Sequence, residues 1–453
     1  MVVDNIARDE ILDYEKRGDC YTWCFPINFG EFNVAEIWNQ KRMIQNSTEE
    51  MTLYIHIPYC KFICSMCPFT HEIVKQEELN QYVECLIKEI EMYGKHEFSK
   101  KCNVSTIYFG GGTASMLSSE QVKSILSTLR AEFHLTENCE ISLECHPNTV
   151  TEDYLKQIRT AGVARVSFGI QSFQQKNLSS LNLWQNATRN REVIQTAMKI
   201  GFNTVAIDLM YNFPDESMED LLSDISYAYE IGVQGLSFYA LDPEVRKLSS
   251  VKEQQMKMQL EKDMFYKIRE TLLSYGYVQV AQPDYALPGH ENRQIMDLWG
   301  APQKQNLGFG AGAFSESFNL CSWANIHDPQ KYIECIEQNK IPILMGRVWS
   351  EDDQIARYMA LGVRMLNVPL LPFQKQFGLR VEEIYKYEIE KLMNLGYVEI
   401  IEDKLCITKE GSFYIDNISK TFFNLSNRGR AQYWGCKLRE YAPKHLYAWD
   451  EVI

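Results

Sequence analysis

What the chain lacks narrows the field first. No apolar run approaches the roughly eighteen residues of a membrane span, and the opening MVVDNIARDEILDYEKRG has no apolar core of a signal peptide. These two absences give the expectation of a cytoplasmic protein with no membrane partner. Basic residues are outnumbered, 46 Lys and Arg against 60 Asp and Glu, for a formal charge of −14. That balance argues against a nucleic-acid partner, which phosphate binding would favour only through a basic surface. The thirteen cysteines are an odd number without a framework spacing, as expected in a reducing compartment. A hydrophobic share of 45% over 453 residues leaves room for two or three domains with a large core.

What is present is concentrated in LYIHIPYCKFICSMCPF, where Cys60, Cys64 and Cys67 follow an apolar, β-branched stretch that reads as a strand. Three thiolates on one short loop hold three irons of a 4Fe–4S cluster and leave the fourth open. Zinc is the alternative, but it wants paired short Cys or His spacings, and no second CxxC or HxxxH lies at a fitting distance. A redox dithiol would use only two of the three thiols. Three structural cysteines would meet at this spacing only by coincidence.

After about fifty residues, β-rich runs alternate with helical periodicity. VSTIYFGG (104–111), CEISLE (139–144), ARVSFGIQ (164–171), FNTVAIDLMY (202–211) and VQGLSFYAL (233–241) read as strands separated by helices such as SSEQVKSILSTLRAEF. This alternation predicts an α/β fold with a parallel sheet, a partial (β/α)6 TIM-like barrel whose chemistry lies at the C-terminal strand ends. From about residue 326 the pattern changes to the helices QIARYMALGVRML and VEEIYKYEIEKLMNLG and the hairpin YVEIIEDKLCITKEG, resembling a winged helix. The acidic EIIEDK points to packing or a lid rather than DNA. The expected organisation is an extension over 1–50, the barrel over 51–325, the helical and hairpin domain over 326–425, and an aromatic-rich tail over 426–453.

Several residues sit where such a barrel keeps its chemistry. Gly110–Thr113 follows a strand, where glycines allow close backbone approach and expose N–H donors; a tight turn is the plainer reading. Glu144 ends a strand, suited to hold an ammonium or ribose or to act as acid or base; a surface charge is the alternative. Gln171 and Asp208 end later strands, and Tyr54 lies two residues before His56 in the first. Tyr239, Trp299 and Trp323 are aromatic positions near strand ends that would line a pocket.

The words YIHIPYC, GGGT, LECHP, GIQSF, DLMYNFP and GFGAGAFS occur in that order. Together they resemble the radical S-adenosylmethionine (SAM) family, and within it the oxygen-independent coproporphyrinogen III oxidase superfamily, over roughly residues 51 to 425. The resemblance implies that Cys60, Cys64 and Cys67 hold the cluster and that SAM contacts Tyr54, Met66, Gly111, Gly112, Thr113, Glu144, Gln171, Asp208, Ala240 and Phe314, with Glu144 and Tyr54 as catalytic residues. It further implies two SAM molecules, an electron donor such as flavodoxin or ferredoxin, and the same barrel with a C-terminal domain. Twelve residues after Gln171 the family often has arginine; this chain has Leu183, then Trp184.

Among the branches, the oxidase has a cysteine where Phe69 stands. The haem chaperones begin nearly at the cysteine loop and carry HNxxYW, whereas this chain reads GHENRQIMDLW, leaving His290 as a lone candidate haem ligand. The long extension with its CYTWCFP word (Cys20–Pro26) is closest to the class C radical SAM methyltransferases. The expectation is therefore transfer of a methyl or methylene group from a second SAM to an sp2 carbon of an unsaturated or aromatic small molecule, as methylation or cyclopropanation. The alternative is an oxidase-like enzyme or a haem-binding or haem-modifying protein.

Overall fold

The computed structural model describes residues 50–65, 67, 72–241, 258–317 and 320–423. Met66 and Phe69, the CYTWCFP word and the 426–453 tail lie outside them. In chain order the main elements are strand β1 (Glu50–Ile57), helix α1 (Gln76–Gly94), β2 (Asn103–Gly111), α2 (Ser119–Glu132), β3 (His134–Cys145), α3 (Glu152–Ala161), β4 (Arg165–Gln171) and α4 (Ala187–Ile200). They continue with β5 (Thr204–Tyr211), α5 (Met218–Glu230), β6 (Gly235–Ala240), α6 (Met258–Ser274), β7 (Val278–Gln279), β8 (Asp284–Ala286), α7 (Arg293–Trp299) and β9 (Gln305–Phe309). Then come β10 (Phe314–Ser317), β11 (Cys321–Asn325), α8 (Pro329–Glu337) and β12 (Ile343–Val348).

These strands form one sheet in the order β12-β11-β10-β9-β1-β2-β3-β4-β5-β6-β8-β7. Strands β1 to β6 are mutually parallel, and β9 joins β1 in parallel. The six parallel strands of the expected partial barrel are therefore present, with β9 as a seventh and antiparallel strands beyond at both sides. Alternation along each strand separates two environments. Leu53, Ile55 and Ile57 are fully buried under the helices, each contributing roughly 1.5–3 kcal/mol. Thr52, Tyr54 and His56 take the opposite face, towards the lumen.

Local chemistry fixes the element ends. Ser118 accepts the Gln121 N–H while the Gln121 side chain accepts the Ser118 N–H, a reciprocal cap that starts α2. Gly162, in the left-handed region at φ 111°, ends α3 and turns the chain into β4. At the N-terminal end of the barrel α7 acts as a plug. Asp297 accepts from Ser105 at 2.7 Å, and Gln294 bonds Thr106.

The remaining elements are α9 (Glu351–Gly362), β13 (Asn367–Pro369), α10 (Leu370–Phe377), α11 (Lys386–Asn394), β14 (Val398–Ile401), β15 (Lys404–Ile407) and α12 (Ile415–Thr421). The expected hairpin is β14–β15, and β13 adds a third antiparallel strand. The stretch read as one helix, VEEIYKYEIEKLMNLG, is broken at Tyr385, which leaves helical geometry at φ −110°, ψ 29°. There its ring packs edge-on against Phe422 at 5.1 Å and its hydroxyl donates to the Phe422 carbonyl. Tertiary packing outweighs local propensity at that point.

Candidate active site

The cysteine loop leaves the C-terminal end of β1 and meets the glycine loop leaving β2. Gly112 N–H donates to the Ile57 carbonyl at 2.8 Å. A Cβ on Gly112 would stand 2.9 Å from the Tyr59 carbonyl and 3.0 Å from Cys60 Sγ, so no larger residue fits without displacing the thiol. Gly111 is in the left-handed region at φ 115°. Thr113 Oγ1 lies 3.3 Å from Cys60 Sγ.

Burial pushes the Cys60 thiol up to about 12, opposed by Thr113 and reinforced by the neighbouring Cys67 and Cys64 thiols. Three thiols thus share one region, where burial holds Cys60 protonated. That is the setting in which bound metal supplies the charge that deprotonates them. Among the described residues, no three His, Cys, Asp or Glu side chains gather as one ion requires. Tetrahedral zinc would bring its sulfurs to about 3.8 Å of one another, given a bond of about 2.3 Å. The donor chemistry, three cysteines on one loop, is that of an iron–sulfur cluster.

Below the loops the lumen is lined by tyrosines and acids. Tyr54 stacks on Tyr108 with centroids 6.1 Å apart and lies 5.8 Å from His56. Tyr108 donates to Glu144 Oε1 at 2.8 Å. Burial raises Glu144 to about 7, opposed by the bonds from Tyr108 and the Gly111 N–H. Asp208 is likewise raised to about 7, by burial and then by Glu144 and Asp284. Tyr239 projects beside these acids, 46% exposed. Gln171 ends β4 after a register shift and sits at φ 65°, a conformation that costs a residue with Cβ about 1 kcal/mol. Ala240 ends β6 level with Tyr211. Phe314 opens β10, its carbonyl accepting from Asn306 Nδ2 at 2.9 Å.

Two pocket expectations are corrected by position, and a third residue falls away from the site. His290 lies at the opposite end of the barrel, its Nδ1 3.0 Å from Thr204 Oγ1 and its carbonyl bonded to Arg165, both at strand starts. Trp299 belongs to the plug, with the Arg364 guanidinium 4.7 Å over its ring. Trp323 is fully buried, its Nε1 donating to Tyr93 at 3.2 Å. Trp323 is a core residue and Trp299 a half-buried part of the plug, so neither takes a place beside Tyr239.

Other residues went unread. Asp284, on a three-residue strand, accepts from Ser237 at 2.6 Å beside Asp208. Glu89 and Tyr82, on α1, hold the Gly308–Ala313 turn. Glu89 was legible in part, because it falls on the stripe of Leu79, Tyr82, Leu86, Ile90 and Tyr93.

Residues 54–227 match the radical SAM superfamily, and residues 349–414 match the HemN C-terminal domain. Two segments of the chain thus match, in order, a radical SAM model and a HemN C-terminal model, a pairing that implies a 4Fe–4S cluster and SAM. It is 25% identical to the heme chaperone HemW of Lactococcus lactis subsp. lactis, over 82% of this chain and 96% of that one. It is 25% identical to the anaerobilin synthase of Escherichia coli O157:H7, over 86% and 88%. The fold matches the coproporphyrinogen III oxidase HemN from Escherichia coli with a TM-score of 0.75 and 22% identity, over 88% of this chain and 96% of that one. Among the described residues no helix is long and apolar enough to cross a membrane.

These likenesses overturn the methyl-transfer expectation. It leaned on the N-terminal extension, yet the similarity to a heme chaperone spans nearly that relative's whole length. An extension placed before the barrel therefore does not separate the branches.

Proposed function

We propose that this protein is a HemN-like radical SAM protein that handles a tetrapyrrole, as an oxidase-like enzyme or as a haem-binding or haem-modifying protein. The observation that carries the reading is the similarity, over 82% to 86% of the chain, to proteins named as a heme chaperone and an anaerobilin synthase. The barrel it shares with a coproporphyrinogen III oxidase supports it.

In this reading Cys60, Cys64 and Cys67 hold the cluster, and Met66 and the Gly111–Thr113 loop lie against SAM. A reduced cluster bound there would supply the one-electron chemistry that splits the SAM sulfonium into methionine and a 5'-deoxyadenosyl group. Glu144 offers a carboxylate to the ammonium of SAM, oriented by Tyr108, with Tyr54 stacked behind. Gln171, Asp208, Ala240 and Phe314 form the remaining walls. Glu144 and Asp208, both near 7, can each hold or release a proton at neutral pH. One SAM suffices. Leu183 packs with Leu181, Met210, Phe213 and Leu241, offering no cation to a second amino-acid carboxylate. The electron comes from a small reducing protein such as a flavodoxin or ferredoxin.

The test is anaerobic reconstitution with iron and sulfide, followed by titration with haem and incubation with SAM and dithionite, with and without haem or coproporphyrinogen III. A Soret shift at micromolar haem, or 5'-deoxyadenosine formation stimulated by either tetrapyrrole, is expected. Failure of both would sink the reading.

A further inference from the structure

Within the cysteine loop, the Cys67 N–H donates to the Cys64 carbonyl at 3.2 Å, and the Cys60 carbonyl accepts from the Val74 N–H at 2.9 Å. The outer side of the loop leans on residues 181–185, between β4 and α4. Ser65 Oγ donates to the Leu181 carbonyl at 2.6 Å. The Phe62 ring lies 6.5 Å from the Trp184 ring at 29°, and Lys61 Nζ lies 5.6 Å over the same indole.

Trp184 is itself held. The His146 imidazole stacks on it at 5.0 Å and 20°, and Asn148 Nδ2 donates to its carbonyl at 3.0 Å. The Asn148 backbone N–H donates to His146 Nδ1, so the ring proton lies on Nε2 and points to Gln185 Oε1 at 3.1 Å. Gln185 in turn donates to the Gly169 carbonyl, two residues before Gln171. A continuous set of contacts thus runs from the cysteine loop to the strand end that carries Gln171.

We propose that Trp184 is a positioning residue for the cysteine loop, a wall that fixes Lys61 and Phe62 and thereby limits water at Cys60, Cys64 and Cys67. This rests on the reading that those thiols hold an iron–sulfur cluster. Side chains around a metal centre set solvent access and potential, and their loss typically costs about 10–100-fold in metal retention. Opening the wall lets water solvate the more highly charged reduced cluster, which raises its potential.

The test compares wild type, Trp184→Ala and Trp184→Phe after anaerobic reconstitution. Iron and sulfide per chain, the rate of iron loss to a chelator, and the potential from an EPR-monitored redox titration are measured. Trp184→Ala is expected to lose iron about tenfold faster and to titrate at a higher potential, with Trp184→Phe restoring most of both. Should Trp184→Ala fail to fold, Ser65→Ala removes the bond to Leu181 alone and gives the same readouts. Wild-type protein that takes up no iron would overturn the cluster reading itself. Wild-type uptake with both variants unchanged in rate and potential would overturn only the role of Trp184.

Discussion

Tyr108 and Glu144 stand on neighbouring strands, and the phenol donates to Glu144 Oε1 at 2.8 Å inside the lumen. The bond opposes the burial that raises Glu144 to about 7. Tyr108→Phe removes it and moves Glu144 higher still. SAM affinity should therefore rise with pH through about 7 in the wild type. In the variant the rise should come at higher pH, with affinity at pH 7 down roughly tenfold, the scale of one bond to a charged group. Equilibrium dialysis of SAM across pH 6 to 9 checks both, and an unshifted midpoint would remove Glu144 from the SAM contact.

The same carboxyl makes stability depend on pH. Glu144 is raised from 4.5 to about 7 on folding, so the folded chain keeps a proton that the unfolded chain releases. Its contribution is fully present below about pH 4.5 and is lost as pH rises through 7. Glu144→Gln abolishes that loss, on the order of 3 kcal/mol. The melting temperature of ligand-free Glu144→Gln should exceed wild type by a margin that widens from pH 5 to 8. Asp208, raised in the same direction, leaves a residual slope in the variant.

Gly112 allows a test at the metal loop. A Cβ there meets the Tyr59 carbonyl at 2.9 Å, which is backbone, and Cys60 Sγ at 3.0 Å, which can move only by turning the thiol. Gly112→Ala should fold, since the clash sits at the open end of the barrel, yet retain less than half the wild-type iron after reconstitution. Iron analysis beside a melting curve separates the two effects. Full iron content would show that the loop shifts without cost.

The parallel core was legible because its strands are β-branched runs whose helices carry their own caps, as at Ser118 and Thr151. The added strands were not. Asp284–Ala286 has three residues, too few for a period to show, and its position depends on pairing with β6. Glu144, at the end of β3, could be placed from the alternation; Asp208, read as ending its strand, instead lies inside β5, three residues before its end. Trp299 and Trp323 could not be placed: Trp299 ends helix α7 and Trp323 lies inside β11, and an aromatic reads alike whether it faces the lumen or packs elsewhere. Choosing among related branches from the CYTWCFP extension failed for a different reason: the word lies before both segments that match known families.

Glu89 marks where a charge in a helix stripe signals structure that the site needs. It is fully buried on α1 and accepts from the Tyr332 hydroxyl and the Gly310 N–H, both at 2.7 Å, and from Asn325 Nδ2 at 2.8 Å. Beside it, Tyr82 donates to the His56 carbonyl and accepts the Ala311 N–H, tying the end of β1 to the same turn. Glu89→Ala strands the Gly310 and Asn325 donors and opens a cavity, so a loss of roughly 2–4 kcal/mol is expected in denaturant unfolding. Glu89→Gln should cost less but not nothing. Its oxygen can serve Gly310 and Tyr332, while its amide faces Asn325 Nδ2, which the Gly310 carbonyl holds at 3.0 Å and which cannot flip without losing that bond. Because the turn leads to Phe314, SAM affinity should fall in both variants, and in the same order as stability. A stable Glu89→Ala with unaltered SAM binding would show that the turn is held by Tyr82 alone.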